Sequence, residues 1–209
     1  MLKKHEKINK KRKFVTNFND FYVIAPKNTF IERGAQIGKN TIIYPNCYID
    51  KNSKIGENCK VLPGCFIEGS EIGSDVQVGP FAHLRAGTKL GNHVRLGNFC
   101  ETKNAQIGEG TKIAHLTYVG DAVVGCNCNF GCGVVFANFD GVEKHQTCIG
   151  DNCFIGCNVN LIAPLNIGNN VFIGAGSTVT QNLVNNTFAL SRTPLETKNN
   201  LGFNKITKK

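Results

Sequence analysis

The sequence predicts an all-β protein: a parallel β-helix of triangular section, wound from six-residue repeats in about eight coils with short N- and C-terminal extensions. Three observations predict it. An aliphatic residue returns every six positions, the breaks in that rhythm fall at regular places, and most cysteines crowd into one slot of the repeat. A six-residue period matches neither an amphipathic helix nor a strand that alternates every two residues. It matches a coil with three sides, each a short strand and a corner.

The leading position runs from Ile37 through Ile43, Ile49 and onward to Val179, 24 hexads in all. Steps of five replace six after Ile67, Thr102 and Val119, and a long excursion from Ala137 to Cys148 follows Phe136. Those breaks close hexads 6, 12, 15 and 18, all multiples of three, so with three hexads per turn they share one corner. Eight coils are expected between Ile37 and Asn182, with a partial ninth begun at Ile31. Successive coils then stack about 4.8 Å apart, the usual strand spacing. The termini cover the open β edges at either end.

Ten cysteines first suggest metal or redox chemistry. Cys47, Cys59, Cys65, Cys100, Cys128 and Cys153 all occupy the fifth slot, where a small buried side chain is wanted. A zinc or disulfide framework is therefore not expected, and the five histidines form no close pair for a metal. Apolar residues make up 41%, which excludes general disorder, and no apolar run is long enough to span a membrane. Residues 1–13 carry seven Lys or Arg against Glu6, leaving only +3 of the +9 net charge to the body. This arm reads as a solvated, disordered tail rather than a nucleic-acid or lipid contact. It lacks the apolar stretch of a signal peptide, so a cytoplasmic location is expected. The division is a basic arm at 1–20, the β-helix at 21–184 and a C-terminal extension at 185–209.

The same arithmetic aligns side chains. His115, Cys132, Cys157 and Ala175 are the third residues of hexads 14, 17, 20 and 23, one turn apart on one face. They form a row about 14 Å long, a groove suited to an extended ligand. Arg85 and Lys103 lie 18 residues apart with no break between, so they stack one coil apart on another face. Neighbouring cations repel unless an anion joins them, which suits a phosphate site, although two independent solvated cations fit the spacing too. His115 alone reads as a structural hydrogen-bonder or as a proton carrier near neutrality. The excursion reads as a solvent loop or a functional one.

Residues 78–180 closely resemble the acetyltransferase half of the bacterial bifunctional family that makes UDP-N-acetylglucosamine. The carriers are VGPFAHLRAG, LGNFCETKNAQIGEGTKIAHLTYVGDAVVG, NFGCGVVFANFDG and IGAGSTVT, with LSR at 190–192. The resemblance implies left-handed coils, against the right-handed rule for parallel crossovers. It implies a homotrimer with acetyl-CoA bound between parallel prisms, no metal, and His115 as catalytic base. It further implies sugar-phosphate contacts from Arg85, Lys103, Tyr118, Asn129 and Lys144. Coenzyme contacts fall to Asn138, Ala175 and Arg192, with Cys132, Phe139 and Cys157 standing where the family has alanine, tyrosine and serine.

No counterpart of the family's uridylyltransferase half is expected here, since about 30 residues precede the repeats and carry no Gly-rich nucleotide loop. The expected activity is acetyl-CoA-dependent N-acetylation of glucosamine 1-phosphate, with a separate uridylyltransferase as a candidate partner. Rival readings are an acyltransferase for another amino-sugar or nucleotide-sugar acceptor, a metal-dependent hydratase on the same prism, and a non-catalytic assembly protein.

Overall fold

The computed structural model describes residues 15–18, by backbone alone, and 20–197; the basic run Lys3–Lys13 lies outside the described residues. Strands of two to seven residues stack in parallel on three faces of a left-handed prism. Face I begins at Phe21–Ile24 and climbs through Ile42–Ile43, Lys60–Val61 and Gln77–Val78 to Phe172–Ile173 and Phe188–Ala189. Face II carries Phe30–Ile31 through Thr178–Val179, and face III carries Gln36–Ile37 through Leu165–Ile167.

The repeat explains the section. Each leading residue points inward, and those of face I from Ile43 to Ile173 are almost wholly buried. Burying one such aliphatic side chain contributes on the order of 2 kcal/mol, and every coil contributes three. The fifth slot packs beside it. All six fifth-slot cysteines are at most 2% exposed, and each thiol donates to a backbone carbonyl. Thr102 is the one polar leading residue of the described hexads, and it stays buried because Thr88 Oγ1 donates to its hydroxyl at 3.0 Å. The fourth slot turns the corner with positive φ. Asn46, Asn58, Asn127 and Asn158 stand there, residues that tolerate the left-handed region.

The prism is longer than the hexad count at both ends. Val23 pairs with Ile43 and Phe172 with Phe188, so face I gains a rung beneath Ile43 and another above Ile173. The chain reaches about nine turns, close to the eight coils and partial ninth that the period predicts. Residues 15–18, placed in the arm by sequence, form an antiparallel strand against Phe21–Ile24 that covers the lower edge. Residues Phe188–Ala189, placed in the C-terminal extension, complete a rung. Neither end keeps the six-residue step, since Val23 precedes Ile31 by eight residues and Ala189 follows Val179 by ten. No helix among the described residues is long and apolar enough to cross a membrane.

Candidate active site

Two corners carry the residues singled out by sequence. At the corner between faces I and II the third slots hold, from the bottom, Pro45, Pro63, Pro80, Asn98, His115, Cys132, Cys157 and Ala175. Backbone hydrogen bonds tie neighbouring coils along this row. Gly133 N donates to His115 O at 3.3 Å, Asn158 N to Cys132 O at 2.8 Å, and Gly176 N to Cys157 O at 2.8 Å. His115, Cys157 and Ala175 are exposed and Cys132 is half-buried. The slot just before them on face I is Gly or Ala, as at Gly97, Ala114, Gly131, Gly156 and Gly174. A Cβ at Gly156 would meet Ala175 N at 2.4 Å, so the lining is flat because the coils leave no room for side chains there. Arg192 closes the upper end, its Cδ lying 3.5 Å from where a Cβ on Gly176 would stand.

His115 is held from below. Its Nδ1 lies 2.6 Å from Asn98 Oδ1, and Leu116 N donates to Asn98 O at 3.0 Å. Beneath the ring, a cleft of about 290 Å³ is lined by Gly79, Arg95, Gly97, Asn98, Ala114 and His115, with Phe81 and Phe99 at its edge. Phe81, Phe99 and Leu116 take the positive-φ slot that Asn or Gly fills in the other coils of this corner, and all three are 55% exposed. Bulky residues in that conformation are strained, a condition found disproportionately at functional sites.

The second cluster lies on face II and at its far corner. Arg85 and Lys103 are neighbours one coil apart, and the Arg85 guanidinium is bonded to Glu101 Oε1 at 3.0 Å. The Lys144 ammonium, and after it the charge of Arg85, pull the Lys103 amine below the ordinary lysine range. Three cations therefore converge on one patch. The Tyr118 hydroxyl lies over Gly120, whose strand position is paired with Lys103, so it faces the same patch. Lys144 arrives there on the excursion, which is a built loop. Phe139 bridges to Lys144, and the Asp140 carboxylate accepts from Val142 N at 2.8 Å and Glu143 N at 2.7 Å. His145 at 2.7 Å, with those two amides, holds the Asp140 carboxyl well below the usual carboxylate range. Asn138 anchors the root of the loop, donating from Nδ2 to Asp121 Oδ2 at 2.6 Å, while Phe139 stays 59% exposed.

Within one prism these groups do not all meet. His115, Cys132, Cys157, Ala175 and Arg192 share the first corner. Arg85, Lys103, Tyr118 and Lys144 share the second patch, with Asn138 and Phe139 beside it. Asn129 stands apart on face I, exposed and paired in register with Lys112 and Phe154. The sequence reading missed Asn98, Glu101 and Asp121, each one coil from a residue it named. Among the described residues no three His, Cys, Asp or Glu side chains gather as a metal site.

A prism of this repeat, with an open row of small residues ending in a histidine, defines a class, and the chain belongs to the hexapeptide-repeat transferases. Residues 34–69, 69–104 and 149–181 match the bacterial transferase hexapeptide (six repeats) family. More narrowly, the chain is 44% identical over 189 residues to the bifunctional protein GlmU of Geotalea uraniireducens, covering 82% of this chain and 41% of that protein. It is 50% identical over 190 residues to the bifunctional protein GlmU of Clostridium perfringens, covering 83% and 42%. The chain thus spans about two-fifths of the length of these relatives. Among solved structures, LpxA of Bacteroides fragilis, a UDP-N-acetylglucosamine acyltransferase, shares the fold with a TM-score of 0.64 and 23% identity, over 79% of this chain and 70% of that one. The UDP-N-acetylglucosamine acyltransferase of Campylobacter jejuni shares it at 0.55 and 18%, over 85% and 76%.

Proposed function

We propose that this chain is an acetyl-CoA-dependent N-acetyltransferase acting on glucosamine 1-phosphate, working as a homotrimer. The observation that carries the reading is the open row at the corner of faces I and II, with His115 at its foot and Arg192 at its head. Acetyl-CoA supplies the activated acetyl group, and the flat lining between His115 and Ala175 suits its extended arm. Arg85, Lys103 and Lys144 hold the sugar phosphate, and the mutual repulsion that depresses Lys103 is relieved when a dianion sits among them. His115 Nε2 takes the proton from the attacking amine. Holding both reactants in line supplies much of the remaining acceleration.

The separation of the two clusters supports a site shared between copies. The phosphate patch and the coenzyme row face different directions on one prism, so a complete site needs the row of one copy against the patch of another. The exposed, strained ridge of Phe81, Phe99 and Leu116 beside His115 suits such a contact.

The test is release of coenzyme A thiol with a panel of amino-sugar phosphates and nucleotide amino sugars. The reading expects turnover with glucosamine 1-phosphate well above the others. No thiol release with any acceptor, or a preference for a nucleotide-linked sugar, overturns it. Sedimentation at micromolar concentration expects a trimer, and a stable monomer contradicts the shared site.

A further inference from the structure

We propose that Asn98 is a positioning residue that sets the tautomer of His115, holding Nδ1 protonated so that Nε2 carries the free lone pair. The inference rests on reading His115 as the base.

An exposed imidazole has two neutral tautomers and a free χ2, and only one arrangement offers a base to a ligand in the row. Asn98 removes that freedom twice. Its carbonyl fixes the backbone just past the histidine through Leu116 N, and its Oδ1 meets the ring at 2.6 Å. An amide oxygen only accepts, so with Oδ1 toward the ring the nitrogen facing it carries the N–H.

The place of Asn98 in the row is itself informative. Below it the same slot holds Pro80, Pro63 and Pro45, none of which has a polar side chain. Asparagines in the third slots of the other corners serve the scaffold: Asn92 and Asn169 accept from backbone amides, and Asn104 donates to Asp121. Asn98 alone among these is turned to a histidine ring. A carboxylate at this position would also orient the ring, yet its charge would favour the imidazolium and keep the base protonated to higher pH. A neutral amide orients without that penalty.

Two variants and two readouts test this. In wild type, nitrogen-15 NMR of the His115 ring should show Nε2 unprotonated, and Asn98→Leu should give a mixture of tautomers. With Asn98→Leu, kcat should fall on the order of tenfold while the KM values for acceptor and coenzyme stay unchanged, since only proton transfer is misaligned. Asn98→Asp restores an acceptor and adds a charge, so the acid limb of its kcat profile should move to higher pH, with the rate recovering above it. An unaltered tautomer ratio in Asn98→Leu, or an unmoved acid limb in Asn98→Asp whose His115 still titrates as in wild type, overturns the proposal. A tautomer shift without any change in turnover upholds the hold of Asn98 on the ring and overturns His115 as base, so the two failures are distinguishable.

Discussion

The third slot of the repeat does different work at two corners of the same prism. At the corner between faces III and I five of its side chains are consumed by the scaffold. Ser74 Oγ accepts from Glu57 N, Asn92 Oδ1 from Ser74 N, Asp151 Oδ1 from Cys126 N, Asn169 Oδ1 from Asp151 N and Asn185 Oδ1 from Asn169 N, at 2.7–3.1 Å. Each side chain caps the amide of the coil beneath, which the corner would otherwise leave without a partner. At the corner between faces I and II the lower coils place proline at that amide, and the upper coils place His115, Cys132, Cys157 and Ala175, which cap nothing. One corner is satisfied internally and the other is left open toward a ligand.

The largest effect that sharpens this contrast is steric. Gly97 underlies the open corner, and a Cβ there would be driven into the carbonyl oxygen of Ala114. Gly97→Ala should destabilise the protein by about 3 kcal/mol and carry turnover down with it, read by denaturant unfolding and by the thiol-release assay. An unchanged midpoint would mean that the flat lining is not enforced by packing. Next, Arg85→Ala should raise the acceptor KM by roughly 10–100-fold with a smaller change in kcat, the loss of one charge-assisted contact. An unaltered KM would remove the patch from acceptor binding.

The smallest effect on turnover concerns the thiols. Cys132 and Cys157 should react with maleimide ahead of the six buried fifth-slot cysteines, mapped by mass, and acetyl-CoA should protect them. The double variant Cys132→Ala, Cys157→Ser should keep activity and lose the inhibition. Inactivation of that variant at the same speed would show that the row does not line the coenzyme site.

The contrast also shows which parts of the molecule are legible in sequence. Period and defects report backbone geometry, so the triangular coil, the buried fifth-slot cysteines and the stacking of His115 on Cys132 can be counted out from residue numbers alone. Side-chain partners one coil away cannot. Nothing in spacing tells that Arg85 turns to Glu101, that Asp121 joins Asn104 to Asn138, or that Asn98 faces a ring rather than an amide. The rungs at Val23 and Ala189 are not marked by the period, because neither stands six residues from the neighbouring leading position, Ile31 or Val179. The loop at 137–148 was equally opaque. Its turn is held by Asp140, which accepts from two amides of the turn that it makes itself, and its root by Asn138.

The measurement that bears most directly on the open corner is a paired one, turnover and Tm for His115→Ala and Asp151→Ala, the same slot at the two corners. His115→Ala should lose about 10²–10⁴-fold in kcat with Tm unchanged. Asp151→Ala should keep its kcat and lose about 2–4 °C in Tm, the loss of roughly 1 kcal/mol from one uncapped amide in a chain of this length. A near-normal rate for His115→Ala, or a fall in its Tm like that of Asp151→Ala, would contradict the account.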